Sequence, residues 1–176
     1  MSPNPKKIIF KEEAREKLKI GIDTLADAVG VTLGPKGKNI AFEGNITNDS
    51  NRIISNIELA DPFSNIGVSI GKEVAESIKL SSGDGTTAGI LLLQALVNNG
   101  LKNIAGGLSP INLKQGIEKG LKLVLEELSS FSIRVKTSAE IKNIATIAAS
   151  GNEEIGAFIL LSLIHISEPT RLVMIS

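Results

Sequence analysis

Gly83-Asp84-Gly85-Thr86-Thr87-Ala88-Gly89-Ile90-Leu91-Leu92-Leu93-Gln94-Ala95-Leu96-Val97 is the stretch on which the fold turns. From Ile90 to Val97 every residue except Gln94 is apolar. A helix of that composition is expected to be buried nearly all round, as the central element of a helical core. The segment before it supplies turn glycines, a carboxylate at Asp84 and hydroxyls at Thr86 and Thr87, where the first amides of a helix are exposed.

Three readings of that loop compete. Asp84 or Thr86 as an ordinary helix cap is the plainest. Gly83-x-Gly85-x-x-Ala88 also fits a dinucleotide fingerprint, which requires a strand before it and an acidic residue roughly 20 positions on. Here an amphipathic helix precedes it, and no Asp or Glu occurs between Gly85 and Ile117, so this reading fails. The third is a magnesium-phosphate cradle, with Asp84 on the metal and the amides and hydroxyls of Thr86 and Thr87 on phosphate. No glycine-spaced Gly-Lys-[Ser/Thr] is present, so a Walker A loop is absent.

Upstream, Ala14, Leu18, Ile22, Leu25 and Val29 recur at helical spacing, and the helix they predict ends near Gly30. Thr32-Leu33-Gly34-Pro35-Lys36-Gly37 follows as a second glycine loop. By itself it is ordinary turn chemistry, in which Lys36 and Lys38 are solvated lysines or partners for phosphate. Ile40 and Phe42 then alternate with polar residues ahead of Gly44-Asn45, which predicts a short hairpin. Asp61-Pro62 opens a helix with an expected apolar face of Phe63, Ile66, Ile70, Val74 and Ile78. Ser109-Pro110 opens another, carrying Leu113, Ile117, Leu121, Val124 and Leu128. Thr137 and Glu140 stand in capping-box relation, Gly151 stops that helix, and Asn152 caps a last one. The fold class is mainly α with a minor hairpin, and the expected seam lies between Ser129 and Thr137.

Composition narrows the function classes. Lys+Arg and Asp+Glu both number 19 in 176 residues, leaving no net charge to draw nucleic acid or anionic lipid. Five Phe with no Tyr or Trp leave little for base stacking. Without cysteine, disulfides and thiolate metal sites are excluded. Met1 to Phe10 lacks the apolar core of a secretory signal, and no apolar run approaches spanning length. A cytoplasmic protein without nucleic-acid or membrane partners is the expectation.

The two loops and the helices between them resemble the N-terminal part of the group I chaperonin (GroEL) family. The residues that carry the resemblance are Leu25-Ala26-Asp27-Ala28-Val29, Val31 to Gly37, Ile57-Glu58-Leu59, Lys72-Glu73-Val74-Ala75, Gly83 to Thr87, Gly107-Leu108-Ser109-Pro110, Leu113 to Ile117 and Glu126-Glu127-Leu128. They lie in order between Ile8 and Ile159. The resemblance implies that residues 1–130 form the N-terminal half of an ATP-binding equatorial domain and 131–161 the start of an intermediate domain. It also implies ATP and Mg2+ as cofactors. Thr32, Leu33, Gly34 and Pro35 would line the pocket, Asp84 would hold magnesium, and Gly85, Thr86, Thr87 and Ala88 would wrap the phosphates. Asn48 and Asp49 fall on the family's phosphate- and metal-side motif. Implied partners are a homo-oligomeric ring, heptameric and doubled, a GroES-like co-chaperonin and unfolded polypeptides. The segment Asn39–Ile46 resembles a stem-loop that pairs with a neighbouring subunit; a closed local hairpin reads equally well.

Departures from the family pattern set the alternatives. Its Lys-Asp-Gly reads Asn48-Asp49-Ser50 here, and losing a charge-assisted contact costs about 1.5–3 kcal/mol, tenfold or more in affinity. Ala88 stands where the family places a threonine. The aspartate that activates water lies in a part of the family this sequence does not contain, so no catalytic residue is assigned and the chain alone is expected not to hydrolyse ATP. Half an equatorial domain is also expected to expose apolar helix faces and to aggregate. Leu161 to Arg171 leaves the family pattern and resembles a translated sequencing adapter. Residues 162–176 are therefore expected to be a non-native tail, with no chemistry at His165. The leading expectation is an ATP-dependent chaperonin subunit that assists folding through nucleotide-driven ring changes. The alternative is a degenerate, non-hydrolysing paralogue acting in assembly.

Overall fold

A computed structural model describes residues 7–34, 36–42, 44–149 and 151–167, with side chains up to 163. Pro35 and residues 168–176 of the expected tail lie outside the described residues. The chain divides into two compact units, one through Glu118 and one from Lys119.

The first unit begins with α1 (Lys11–Gly30), followed by the antiparallel strands β1 (Ile40–Phe42) and β2 (Asn45–Thr47). The strands pair Ile40 with Thr47, Ala41 with Ile46 and Phe42 with Asn45. Alternation then explains the hairpin's faces: Ile40 and Phe42 pack against the core while Ile46 points outward. Next come α2 (Ser50–Asn56), α3 (Pro62–Ser82) and α4 (Thr86–Ala105). Leu25, Ala26 and Val29 of α1, Ile53 and Ile54 of α2, Val68 and Ala75 of α3 and Ile90 of α4 form one buried cluster. The periodic face expected of α1 is the face that is buried. The hairpin and the helix starts at Pro62, Pro110 and Ser138 fall where the sequence puts them.

Three expectations are corrected. The buried face of α3 is Ser64, Gly67, Val68, Gly71 and Ala75, rotated by one residue from the expected stripe, and Ile66 and Ile70 are exposed. Small residues win there because α1 and α3 touch backbone to backbone. A Cβ on Gly21 would lie 2.0 Å from the Ser64 carbonyl oxygen, and one on Gly67 2.2 Å from that of Leu18. Second, α4 is not buried all round: Leu92 is 63% and Leu96 51% exposed, because α1 and α3 cover only one side of it. Third, α2 has no counterpart in the sequence reading.

The apolar stripe of α5 (Pro110–Phe131) contains no buried residue, and Leu121, Val124 and Leu128 are all exposed. In the second unit α6 (Ser138–Ala148) packs on α7 (Glu153–Ser167), with Ala145 buried. The Thr137–Glu140 capping box is formed, and the Asn152 side-chain oxygen accepts from Ile155 N at 3.0 Å. No helix among the described residues is long and apolar enough to cross a membrane.

The α3 cap gives the first unit a pH dependence. Asp61 Oδ2 accepts from Ser64 Oγ at 2.6 Å and Ser64 N at 3.2 Å, with Lys17 Nζ 3.1 Å away. The bonds from Ser64 first, then that from Lys17, hold the Asp61 carboxyl down at about 2. A lowered folded pKa contributes stability that is complete above the unfolded value of about 3.9 and is lost as pH falls through the folded one. Asp61→Ala is therefore expected to lower the urea midpoint at pH 7. The difference from the parent chain should shrink between about pH 4 and pH 2.

Candidate functional site

The two glycine loops lie toward the same end of the first unit because α1 and α4 run antiparallel. Asp23 Oδ1 accepts from Asn98 Nδ2 at 2.8 Å and Gln94 Nε2 at 3.1 Å, and Asp27 Oδ1 accepts from Gln94 at 3.1 Å. Further along, a Cβ on Gly30 would stand 3.2 Å from Leu91 Cδ2. The C-terminus of α1 therefore lies toward the N-terminus of α4. Gln94, the one polar residue in the apolar run, is half of this clasp. Partial burial works against the Asp23 charge, but the bonds from Lys19, Asn98 and Gln94 outweigh it and keep its pKa below the ordinary carboxylate value.

The loop after α1 is closed by its own backbone. Leu33 N donates to Gly30 O at 3.2 Å, Gly37 N to Gly34 O at 2.9 Å and Lys38 N to Val31 O at 2.8 Å. Thr32 Oγ1 donates to Val29 O at 2.7 Å. Leu33, Gly34, Lys36 and Lys38 are exposed, and neither lysine forms an ion pair among the described residues.

Asp84 sits at the turn between α3 and α4, flanked by Gly83 at φ 74° and Gly85 at φ 86°. Both values are left-handed, where glycine carries no Cβ penalty. The Asp84 carboxylate is exposed; its Oδ1 accepts from Gly85 N at 2.6 Å, and its other oxygen has no protein partner among the described residues. No side chain caps α4, whereas Asp49 caps α2 by accepting from Asn51 N at 2.9 Å. The amides in the first turn of α4 are thus left for another acceptor. Ala88 and Asn48 are exposed as well.

Short as it is, α2 is what joins the remaining expected residues. Thr86 and Thr87 are 4% and 9% exposed, with their hydroxyls turned toward α2. Ser50 Oγ is hydrogen-bonded to Thr87 Oγ1, and Thr86 Oγ1 donates to Asn51 Oδ1 at 3.3 Å. Asn48-Asp49 is thereby held beside the start of α4. Ser50 and Asn51 were not expected as site residues, and seven residues of helix give too little periodicity to reveal their setting.

Among the described residues no three His, Cys, Asp or Glu side chains cluster as a complete metal site. Mg2+ does not need one, since it commonly takes one or two carboxylates and completes its shell with water and phosphate oxygens. A free carboxylate oxygen on Asp84, the carboxylate of Asp49 at the cap of α2 and the uncapped amides of α4 fit magnesium-bound phosphate.

A helical unit of this kind, with its glycine loops at one end, is a chaperonin fold. The structure matches that of a group III chaperonin in the open state with a TM-score of 0.74 at 23% identity, over 89% of this chain and 32% of that one. The description "TCP-1/cpn60 chaperonin family" matches residues 25–172, and the chain belongs to that family. It is 50% identical over 160 residues to Chaperonin GroEL 3 of Protochlamydia amoebophila, covering 88% of this chain and 30% of that protein. It is 48% identical over 160 residues to Chaperonin GroEL 1 of Prochlorococcus marinus subsp. pastoris, covering 88% and 27%. The chain thus spans under a third of the length of these curated relatives.

Proposed function

We propose that this chain is the nucleotide-binding part of an ATP-dependent chaperonin subunit, with residues 1–130 as half of the equatorial domain and 131–161 as the start of the intermediate domain. Family membership supports the chaperonin role. The observation that carries the nucleotide reading is Asp84, exposed between two left-handed glycines at the uncapped start of α4. Asp84 would hold the metal, the α4 amides with Gly85 and the Thr86 and Thr87 hydroxyls would receive phosphate oxygens, and Thr32, Leu33, Gly34 and Pro35 would border the nucleotide, with Lys36 and Lys38 offsetting its charge. Magnesium held there would supply charge neutralisation for the phosphates. Asp49, the cap of the neighbouring α2, would stand on the metal side. In a full-length protein carrying this sequence, nucleotide binding biases a ring between states and so drives folding of client polypeptides. A co-chaperonin and a doubled heptameric ring complete the reading, in the cytoplasm.

A second reading, a non-hydrolysing paralogue that acts in assembly, is favoured by two exposed positions. Asn48 is neutral where the family places a lysine, and Ala88 offers a methyl where it places a hydroxyl. Calorimetric titration of the full-length protein with Mg-ATP tests the shared part of both readings. Asn48→Lys is expected to tighten binding by about tenfold, the value of one charge-assisted contact. No binding at millimolar Mg-ATP by either protein would overturn the site. Phosphate release by the full-length protein then separates the two readings.

A further inference from the structure

Both hydroxyls at the start of α4 are already engaged, and their partners are side chains of α2. Thr86 has a single hydroxyl proton, which it donates to the Asn51 carboxamide oxygen at 3.3 Å. Phosphate oxygens only accept, so Thr86 donates to phosphate only after releasing Asn51. Thr87 shares a hydrogen bond with Ser50, the residue that replaces the glycine of the family's motif. A glycine there has no hydroxyl to offer.

The surroundings favour exchange over a fixed structural bond. Asn51 also lines an open groove of about 430 Å3 between α2 and α3, so its side chain has space to enter when Thr86 turns away. The backbone of Asn51 stays anchored, because its N–H donates to Asp49 Oδ1 whichever way the side chain points. Asp49 thus holds the helix start while Ser50 and Asn51 switch partners.

We infer that Asn51, with Ser50 beside it, sets the affinity of the nucleotide site: the two form a polar latch that holds the Thr86 and Thr87 hydroxyls on α2, and the Thr86–Asn51 bond must open for Thr86 to donate to phosphate. This rests on the nucleotide reading above. The latch lowers nucleotide affinity by the value of the bonds that are broken, and it couples phosphate arrival to release of α2 from α4.

The test is Mg-ATP titration of a full-length protein carrying this sequence, as parent and with Ser50→Ala, Asn51→Ala and the double variant, alongside thermal melts. Asn51→Ala and the double variant are expected to bind Mg-ATP about two- to tenfold tighter, the range for one net neutral hydrogen bond, while melting at a lower temperature; Ser50→Ala gains in the same way where Thr87 is the donor of the shared bond. A purely structural role would lower the melting temperature and leave affinity unchanged or weaker. That outcome overturns the latch. If the double variant fails to fold, the single variants give the same comparison. If the parent chain binds Mg-ATP and the variants gain nothing, the latch fails and the site stands. If neither parent nor variants bind, the site itself fails and the latch with it.

Discussion

Gly67→Ala is expected to destabilise the first unit by about 3 kcal/mol or more, at the upper end of what overpacking costs. The added methyl would lie 2.2 Å from the Leu18 carbonyl oxygen, and the backbone of α1 has no rotamer with which to yield. The helices must separate instead. That pulls Leu25 and Val29 away from Val68 and Ala75 and opens the cluster that also holds Ile90. Gly21→Ala meets the same crossing from the other side, at 2.0 Å from the Ser64 oxygen. Gly71→Ala, by contrast, meets the Leu25 side chain at its Cδ2, a far end that can shift, and should cost less. Urea unfolding of the three variants checks the order. With total stability of small domains only about 5–15 kcal/mol, Gly67→Ala and Gly21→Ala should show a large loss of folded signal. A midpoint unchanged for Gly67→Ala would mean that the two helices do not meet as described.

Asp84→Ala carries the largest expected functional effect. If Asp84 is the protein's direct hold on magnesium, its loss should weaken Mg-ATP binding by at least about a hundredfold, since removing residues that merely support a metal ligand already costs 10–100-fold. Stability should move by less than about 0.5 kcal/mol, because the carboxylate is exposed and touches only Gly85 N. Removing divalent metal with EDTA should bring the parent chain to the level of the variant. Equal affinity of parent and variant, measured by calorimetry with Mg2+ present, would remove Asp84 from the metal.

Much of the architecture was legible because it is written locally. Asp61 before Pro62, the Thr137–Glu140 box and Gly151 each act within a single turn, and each does in the structure what its chemistry dictates. Periodicity alone located the buried face of α1. It misjudged α3 because hydrophobic size points to Ile66 and Ile70, whereas the contact with α1 is decided by closeness of approach, and glycine is what permits that. Nor does periodicity say how many neighbours a helix finds, which is why Leu92 and Leu96 were expected inside. In the site, the loops declared their glycines, the carboxylate and the threonines. They did not declare where the threonine hydroxyls turn. The Ser50–Thr87 and Asn51–Thr86 bonds join segments far apart in the chain, and α2 is too brief to show a pattern of its own. Gln94 was visible only as an interruption, and its bonds to Asp23 and Asp27 give that interruption its reason.

The glycines on either side of Asp84 have a thermal consequence. A residue pivoting between two achiral hinges is held locally by one bond from Gly85 N, so the acidic tip takes much of its order from whatever grips the beginning of α4. That grip is shared between the core, where Ile90 is buried, and α2, whose seven residues are far below the length at which a helix holds itself together in water and depend on Ile53 and Ile54. On warming, the side-chain bonds from α2 to Thr86 and Thr87 should give way before the glycine-paired helices beneath them, and the tip should gain freedom with that loss.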